Sequence, residues 1–208
     1  MKKVSIYIFM LALVYLTVVF PVNCFADNRD FPDIHGHWAE EYILALSEKG
    51  GITGMPDGNF HPKEEVTFLQ FIKIIIGCEY GEIEPVDDGD WASGYLQKAL
   101  EVGIIDSLKT EFTRYDAARI IAESLKHIYN EEEADDTSIV ERFEDYPGCM
   151  SCRGAFHATV GQCYVKGIIT GKPGLIFDAD ACLTRAEACI IIMKMIDPSL
   201  RVPVPTEY

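Results

Sequence analysis

The chain has 208 residues, of which 49% are hydrophobic and 25% are charged, and its formal net charge at pH 7 is -15. A surface this acidic repels nucleic acid phosphates and anionic lipids, which argues against nonspecific binding to either. Any anionic ligand would have to meet a local cluster of Arg or Lys.

The N-terminus has the pattern of a secretory signal. Two lysines precede an apolar run at 4–20, and Ala26 ends a short segment suited to cleavage. The run is long for such a signal, so an uncleaved membrane anchor stays open as an alternative, and Cys24 leaves lipidation open. We therefore predict a signal peptide at 1–26, with membrane contact only if it is retained.

The stretch 31–76 predicts a helix, a loop and a second helix. Apolar residues recur at helical spacing from His37 or Trp38, and the glycine at Gly50 marks the end of this first helix. The loop is rich in residues that favour turns, with Phe60 as its one large apolar anchor. A Thr-x-x-Gln capping box at Thr67 then opens the second helix.

A second copy of this unit follows a linker predicted at 77–86. Trp91, Gly103 and Thr113 take the places of the first copy's Trp, loop glycine and capping Thr. The loop of this copy is shorter, because only ten positions separate Gly103 from Thr113.

A third copy begins after an acidic connector at 131–138. In it Phe177 precedes Thr184 by seven positions, the spacing found between Phe60 and Thr67 in the first copy. It also has a predicted loop at 146–152 that the other copies lack. The predicted segments are repeat 1 at 27–80, repeat 2 at 81–130, repeat 3 at 139–198 and a loosely held tail at 199–208.

The ordered set of motifs resembles the S-layer homology (SLH) family, whose repeats carry an F-x-D start, a W-A pair, a G-I-x-x-G-x-x-D-G-x-F-x-P loop and a T-R-A-E helix start. The chain departs from this pattern at Phe68, where repeat 1 has no Arg, in the short loop of repeat 2, and in repeat 3, which has no Trp. The resemblance implies an all-α fold of three helix-loop-helix repeats packed as a pseudo-threefold prism, with grooves between repeats.

The resemblance also implies a non-catalytic module on a bacterial cell surface that binds acidic, pyruvylated secondary cell-wall polysaccharide. Carried over residue by residue, the ligand-binding positions are Arg114, Arg185, Gly54, Asp57, Gly58, Gly171, Trp38 and Trp91. Within this set the arginines would contact the sugar carboxylate and the glycines would shape the loop wall.

Arg114 and Arg185 stand at the first turn of a helix, where the helix dipole disfavours a cation. One interpretation is a local salt bridge, for example from Arg185 to Asp180 or Glu187. The other is that the Arg and the free N–H groups of the helix terminus bind an anion together. The two Trp side chains would pack on a sugar face or, as is more common for a Trp at a helix start, in the core. Three acidic residues before the first helices are expected to be structural: Asp33, Asp87 and Asp145.

Six cysteines follow the predicted signal, five of them in repeat 3. An even count in a secreted chain favours disulfides, and Cys182 and Cys189 are too far apart to pair if both are helical. A zinc site formed by Cys149, Cys152, Cys163 and His157 is the alternative.

We found no nucleophile motif, metalloprotease motif or phosphate loop, so we predict no enzymatic activity and no cofactor. His35 and His37 lack a fixed third ligand and predict no metal site. The main alternative function is a stand-alone SLH scaffold that binds a protein partner or has a structural role in the envelope. A third possibility is an envelope hydrolase built on the same scaffold, because the sequence has many carboxylates.

Overall fold

The computed structural model describes residues 30–86, 89–202 and 204. The predicted signal peptide, Asp87 and most of the end of the tail therefore lie outside the described residues. Within them the secondary structure is helical and no strand forms, which confirms the all-α prediction. No helix in the described part of the chain is both long and apolar enough to cross a membrane.

Seven α-helices form along the described chain, and one π-helical turn at His157–Gly161 joins α5 to α6. The α-helices are α1 (Glu40–Glu48), α2 (Phe68–Tyr80), α3 (Ser93–Glu101), α4 (Arg114–His127), α5 (Met150–Phe156), α6 (Gln162–Val165) and α7 (Arg185–Ile196).

The second helix of each repeat starts where the sequence predicts. The side chains of Thr67, Thr113 and Thr184 each accept a hydrogen bond from the N–H three residues on, and the N–H of each Thr donates to the side chain at that position, which completes three capping boxes. Gly50 and Gly103 follow α1 and α3 with φ angles of 84° and 80°, a conformation that favours glycine.

Three predicted boundaries were wrong. The first helix begins at Glu40, because the preceding residues form a turn in which the Ala39 N–H donates to Nδ1 of His37. Helix α2 runs on to Tyr80, so the linker does not begin at 77. The predicted loop at 146–152 already becomes helical at Met150.

The helices pack in a cyclic order. Helix α2 of repeat 1 packs on α3 of repeat 2, α4 of repeat 2 packs on the π-helical turn of repeat 3, and α7 of repeat 3 packs back on α1. The buried apolar residues form one core across the three repeats. The pseudo-threefold prism itself stays a prediction.

Two loops are fixed to this core by equivalent contacts. Asp33 accepts hydrogen bonds from the N–H groups of Phe60 and His61 at 2.9 and 2.6 Å. Asp145 accepts the matching pair from Phe177 and Asp178 at 2.9 and 2.7 Å. Both Phe rings are fully buried, so the two acidic residues hold the loops in place, a structural role as expected.

One disulfide joins Cys149 and Cys152, and the other four cysteines in the described residues are free thiols. Cys163 lies in the core and its thiol donates to the Ala118 carbonyl at 3.3 Å. The four predicted zinc ligands therefore do not assemble, and no group of three potential metal ligands exists in the described part of the chain.

Candidate functional site

Among the described residues, two cavities each take side chains from all three repeats. Groove 1 has a volume of about 410 Å³ and is formed by the repeat 1 loop, helix α2, Trp91 of repeat 2 and Arg185 of repeat 3. Groove 2 has a volume of about 290 Å³ and is formed by the repeat 3 loop, helix α7, Trp38 of repeat 1 and Arg114 of repeat 2. The two grooves therefore use corresponding parts in the same cyclic order.

Arg185 is held at groove 1 by its backbone and its side chain. Its Nε donates to the Phe60 carbonyl at 2.8 Å, and its guanidinium carbon lies 4.5 Å from the centre of the Phe60 ring. The residue is only 5% exposed, and burial lowers the pKa of its guanidinium. The predicted salt bridge from Arg185 to Asp180 or Glu187 does not form.

Arg114 has the equivalent position in groove 2. Its Nη2 donates to the Thr170 carbonyl at 2.7 Å, and its guanidinium carbon lies 5.2 Å from the centre of the Phe177 ring. Its Nε is buried without a hydrogen-bond partner among the described residues. A buried donor without an acceptor is costly, so groove 2 contains a cation with unused hydrogen-bonding capacity.

Lys73 adds a second cation to groove 1. Its Nζ donates to Oγ1 of Thr53 at 2.8 Å and lies 5.9 Å from the centre of the Trp91 ring. Burial lowers the pKa of Lys73, the negative charge of Glu82 opposes this shift, and the positive charge of Arg185 adds to it. Since no carboxylate lines groove 1, a bound anion would stabilise both cations.

Groove 2 is less positive. Lys172 and Lys194 line it beside Arg114, but Glu187 lines it too, and Lys172 forms an ion pair with Asp178. Glu187 is also fixed by its capping box, in which it accepts hydrogen bonds from the N–H and hydroxyl of Thr184. Groove 1 is thus the larger cavity and the one without acidic walls.

Repeat 1 carries Phe68 where repeats 2 and 3 carry Arg114 and Arg185. The position between repeats that corresponds to grooves 1 and 2, here called the third position, is therefore different. The Phe68 ring lies 6.0 Å from that of Phe112 in repeat 2, so an apolar pair replaces the Arg–Phe pair of the other two positions. Phe68 and Phe112 are both buried. The third position therefore lacks the cation that the other two share.

The free N–H groups predicted at the helix starts are not available. In α7 the N–H groups of Arg185 and Ala186 donate to the carbonyls of Glu64 and Pro62 at 2.8 and 3.0 Å. In α4 those of Arg114 and Tyr115 donate to carbonyls of the repeat 3 loop in the same way. The prediction that helix N–H groups help to bind an anion was therefore wrong, because these groups already donate to backbone carbonyls.

The predicted glycines and Asp57 divide between the groove and the loop. Gly54 lines groove 1 and Gly171 lines groove 2. Asp57 and Gly58 line neither; Asp57 instead accepts hydrogen bonds from Asn59 and lies 2.8 Å from Nε2 of His61, which stabilises the loop internally.

Both Trp side chains are largely exposed, with 61% of Trp38 and 49% of Trp91 accessible to solvent. The interpretation of the Trp residues as core was therefore wrong, and each side chain lies at a groove. Sequence reasoning also missed Lys73, although it is three positions after Gln70 on the same helix face and so was within reach of the loop.

Part of the chain matches a known domain family, and the chain is similar in sequence to several known proteins. Residues 30–72 match the S-layer homology domain. The chain is 31% identical over 197 residues to an S-layer protein of Bacillus licheniformis, which covers 88% of this chain. It is 27% identical over 194 residues (86% of this chain) to exoglucanase XynX of Acetivibrio thermocellus, and 29% identical over 117 residues (54%) to a cellulosome-anchoring protein of the same species. The chain spans only 17% to 22% of the length of these relatives.

Proposed function

Because this chain carries an S-layer homology domain, we propose that it is a non-catalytic module that attaches to the bacterial cell wall by binding acidic, pyruvylated secondary cell-wall polysaccharide in grooves 1 and 2. The relatives named for S-layers and for cellulosome anchoring support a location at the cell surface. Some relatives are glycoside hydrolases by name, and in this proposal the matched segment serves them as an anchor.

The observation that carries the proposal is the repeated pairing of a buried arginine with an exposed Trp. Arg185 with Trp91, and Arg114 with Trp38, each place a cation and an aromatic face on one cavity. A carboxylate on a sugar needs the cation, and the apolar face of a pyranose packs on an aromatic ring. The net charge of -15 makes such local cationic grooves necessary for an anionic ligand.

The test is sedimentation of the full chain with purified cell-wall sacculi, before and after acid extraction of the polysaccharide. We expect binding to the untreated sacculi and its loss after extraction. Trp91→Ala and Trp38→Ala should weaken binding while leaving the fold unchanged, because both side chains are exposed.

Lys98→Gln is a control substitution outside the grooves. Lys98 lies on α3 and pairs with Glu101, so its loss should leave wall binding unchanged. Equal binding to extracted and untreated sacculi would contradict a polysaccharide ligand. Binding to neither preparation would favour the alternative of a protein partner, for which the missing third cation at Phe68 is the supporting observation.

A further inference from the structure

The disulfide between Cys149 and Cys152 takes no part in either groove. Both cysteines are exposed, in a run of eight exposed residues at 148–155. Met150, between them, is 89% exposed and offers an apolar contact next to the sulfurs. We propose that this pair is a thiol–disulfide exchange site that accepts electrons from the dithiols of another polypeptide.

The other thiols of the described chain are poorly suited to this chemistry. Burial raises the pKa of Cys78 and of Cys163 to about 12, and burial also raises the pKa of Cys189. Since the thiolate is the reactive form, these three are inert at neutral pH. Cys182 is exposed but has no neighbouring cysteine with which to complete an exchange cycle.

The fold holds the site in place whether or not the disulfide is closed. The bond spans a sequence separation of only three residues, so it restricts little of the unfolded chain and adds little to stability. Helix α5 is instead anchored by Phe156, which is 2% exposed, and by the π-helical turn that continues it into the core at Val160. The pair can therefore open without loss of the helix.

The local hydrogen bonds favour a negative charge on Cys149. Its sulfur accepts the N–H of Cys152 at 3.1 Å and lies 3.4 Å from Oγ of Ser151. Both donors would stabilise a Cys149 thiolate after the disulfide opens. Cys149 is consequently the sulfur that is released most readily from a mixed disulfide.

The exchange proceeds in two substitution steps. A partner thiolate attacks the sulfur of Cys149, the bond between the two cysteines breaks, and Cys152 leaves as a thiolate that takes a proton. The second partner thiolate then attacks the partner's own sulfur in the mixed disulfide, and Cys149 leaves as the stabilised thiolate. Two electrons pass from the partner, which becomes a disulfide, to the pair, which becomes a dithiol.

The test is incubation of the full chain with a reduced peptide that contains two cysteines, followed by alkylation and mass spectrometry. We expect one peptide disulfide to form per chain, at a rate about tenfold or more above that of an oxidised synthetic peptide of residues 146–154, which has the same cysteines without the packed helix. A rate equal to that of the synthetic peptide would overturn the proposal.

Variants identify the roles of the two sulfurs. Cys152→Ser should form a stable mixed disulfide through Cys149 when offered a one-cysteine peptide activated as a disulfide with thionitrobenzoate, which leaves as the coloured thiolate. Cys149→Ser should react about tenfold more slowly. The variant with both Cys149→Ala and Cys152→Ala should keep its helical circular dichroism and lose all exchange. Exchange that persists in this double variant would assign the activity elsewhere and refute the proposal.

Discussion

Lys73 is the residue whose role separates groove 1 from groove 2. It places an ammonium group beside Thr53 and Trp91, and it shares the cavity with Arg185. We predict that Lys73→Gln weakens binding of a pyruvylated saccharide to groove 1 by about tenfold, because one charge-assisted contact worth roughly 1.5 kcal/mol is lost. Isothermal calorimetry with a short saccharide measures this change.

Lys98→Gln removes the same charge from a neighbouring helix and should leave the affinity unchanged. If both lysine variants weaken binding equally, the effect of Lys73 is one of net charge and not of contact in the groove.

Substitutions of the loop glycines by Ala distinguish the cost of backbone strain from the cost of a steric clash at the new Cβ. A Cβ at Gly54 would lie 2.6 Å from Cε1 of Phe31, and φ there is 76°. A Cβ at Gly171 would lie 2.6 Å from Cε1 of Phe143 without a positive φ, whereas Gly58 has a φ of 83° and open space. Urea unfolding should therefore rank Gly54→Ala as most destabilising, with Gly58→Ala costing about 1 kcal/mol from strain alone. If the two variants Gly58→Ala and Gly54→Ala lower the free energy of unfolding equally, the Phe31 ring moves away from the new Cβ without a measurable cost.

Sequence reasoning succeeded for residues whose role is local and failed where the partner comes from another repeat. Thr184 caps its own helix three residues away, so a short pattern predicts it. Trp91 and Arg185 line one cavity although they belong to different repeats, so a pattern within a single repeat does not pair them. The same limit explains the helix N–H groups, which donate to carbonyls that are more than a hundred positions away in the case of Arg185 and Glu64.

At the scale of elements, the acidic connector that follows α4 is tied to two later segments through one carboxylate. Glu131 accepts two hydrogen bonds from Arg201 at 2.8 Å and one from Lys166 at 2.9 Å. Hydrogen bonding to Arg201 is the main reason that the pKa of Glu131 falls from 4.5 to about 2. These contacts join the connector to Lys166, directly after α6, and to Arg201 in the segment after α7.

The lowered pKa of Glu131 makes part of the free energy of unfolding depend on pH. A carboxyl whose folded pKa is lowered stabilises the fold above its unfolded pKa, and that stability is lost as the pH falls through the folded value. We predict that Glu131→Gln lowers the free energy of unfolding at pH 7 by about 1–2 kcal/mol after allowance for solvent screening. The difference from the parent chain should shrink between about pH 5 and pH 2 in urea titrations. A difference that is constant across this range would mean that Glu131 contributes through packing and not through its charge.

For the whole molecule, periodicity and capping predicted the individual helices and the family resemblance implied the all-α fold, whereas neither predicted how the third position between repeats is filled. Three repeats suggest three equal sites, yet Phe68 and Phe112 form an apolar pair where the other positions have an arginine on a Phe ring. The departure is visible in the sequence as a missing arginine. Its consequence needed the structure, because the ring that Phe68 meets belongs to the short loop of repeat 2.

Two grooves in one chain predict additive effects on wall attachment. A long polysaccharide that engages both grooves gains from linked binding, so the free energies lost in Trp38→Ala and Trp91→Ala should add in the double variant on intact sacculi. A short saccharide should bind the parent chain at two sites in calorimetry and each single variant at one undisturbed site. If one single variant matches the parent and the other matches the double variant, then attachment depends on one groove alone. Because Glu187 gives groove 2 an acidic wall, we expect Trp38→Ala to be the variant that matches the parent in that case.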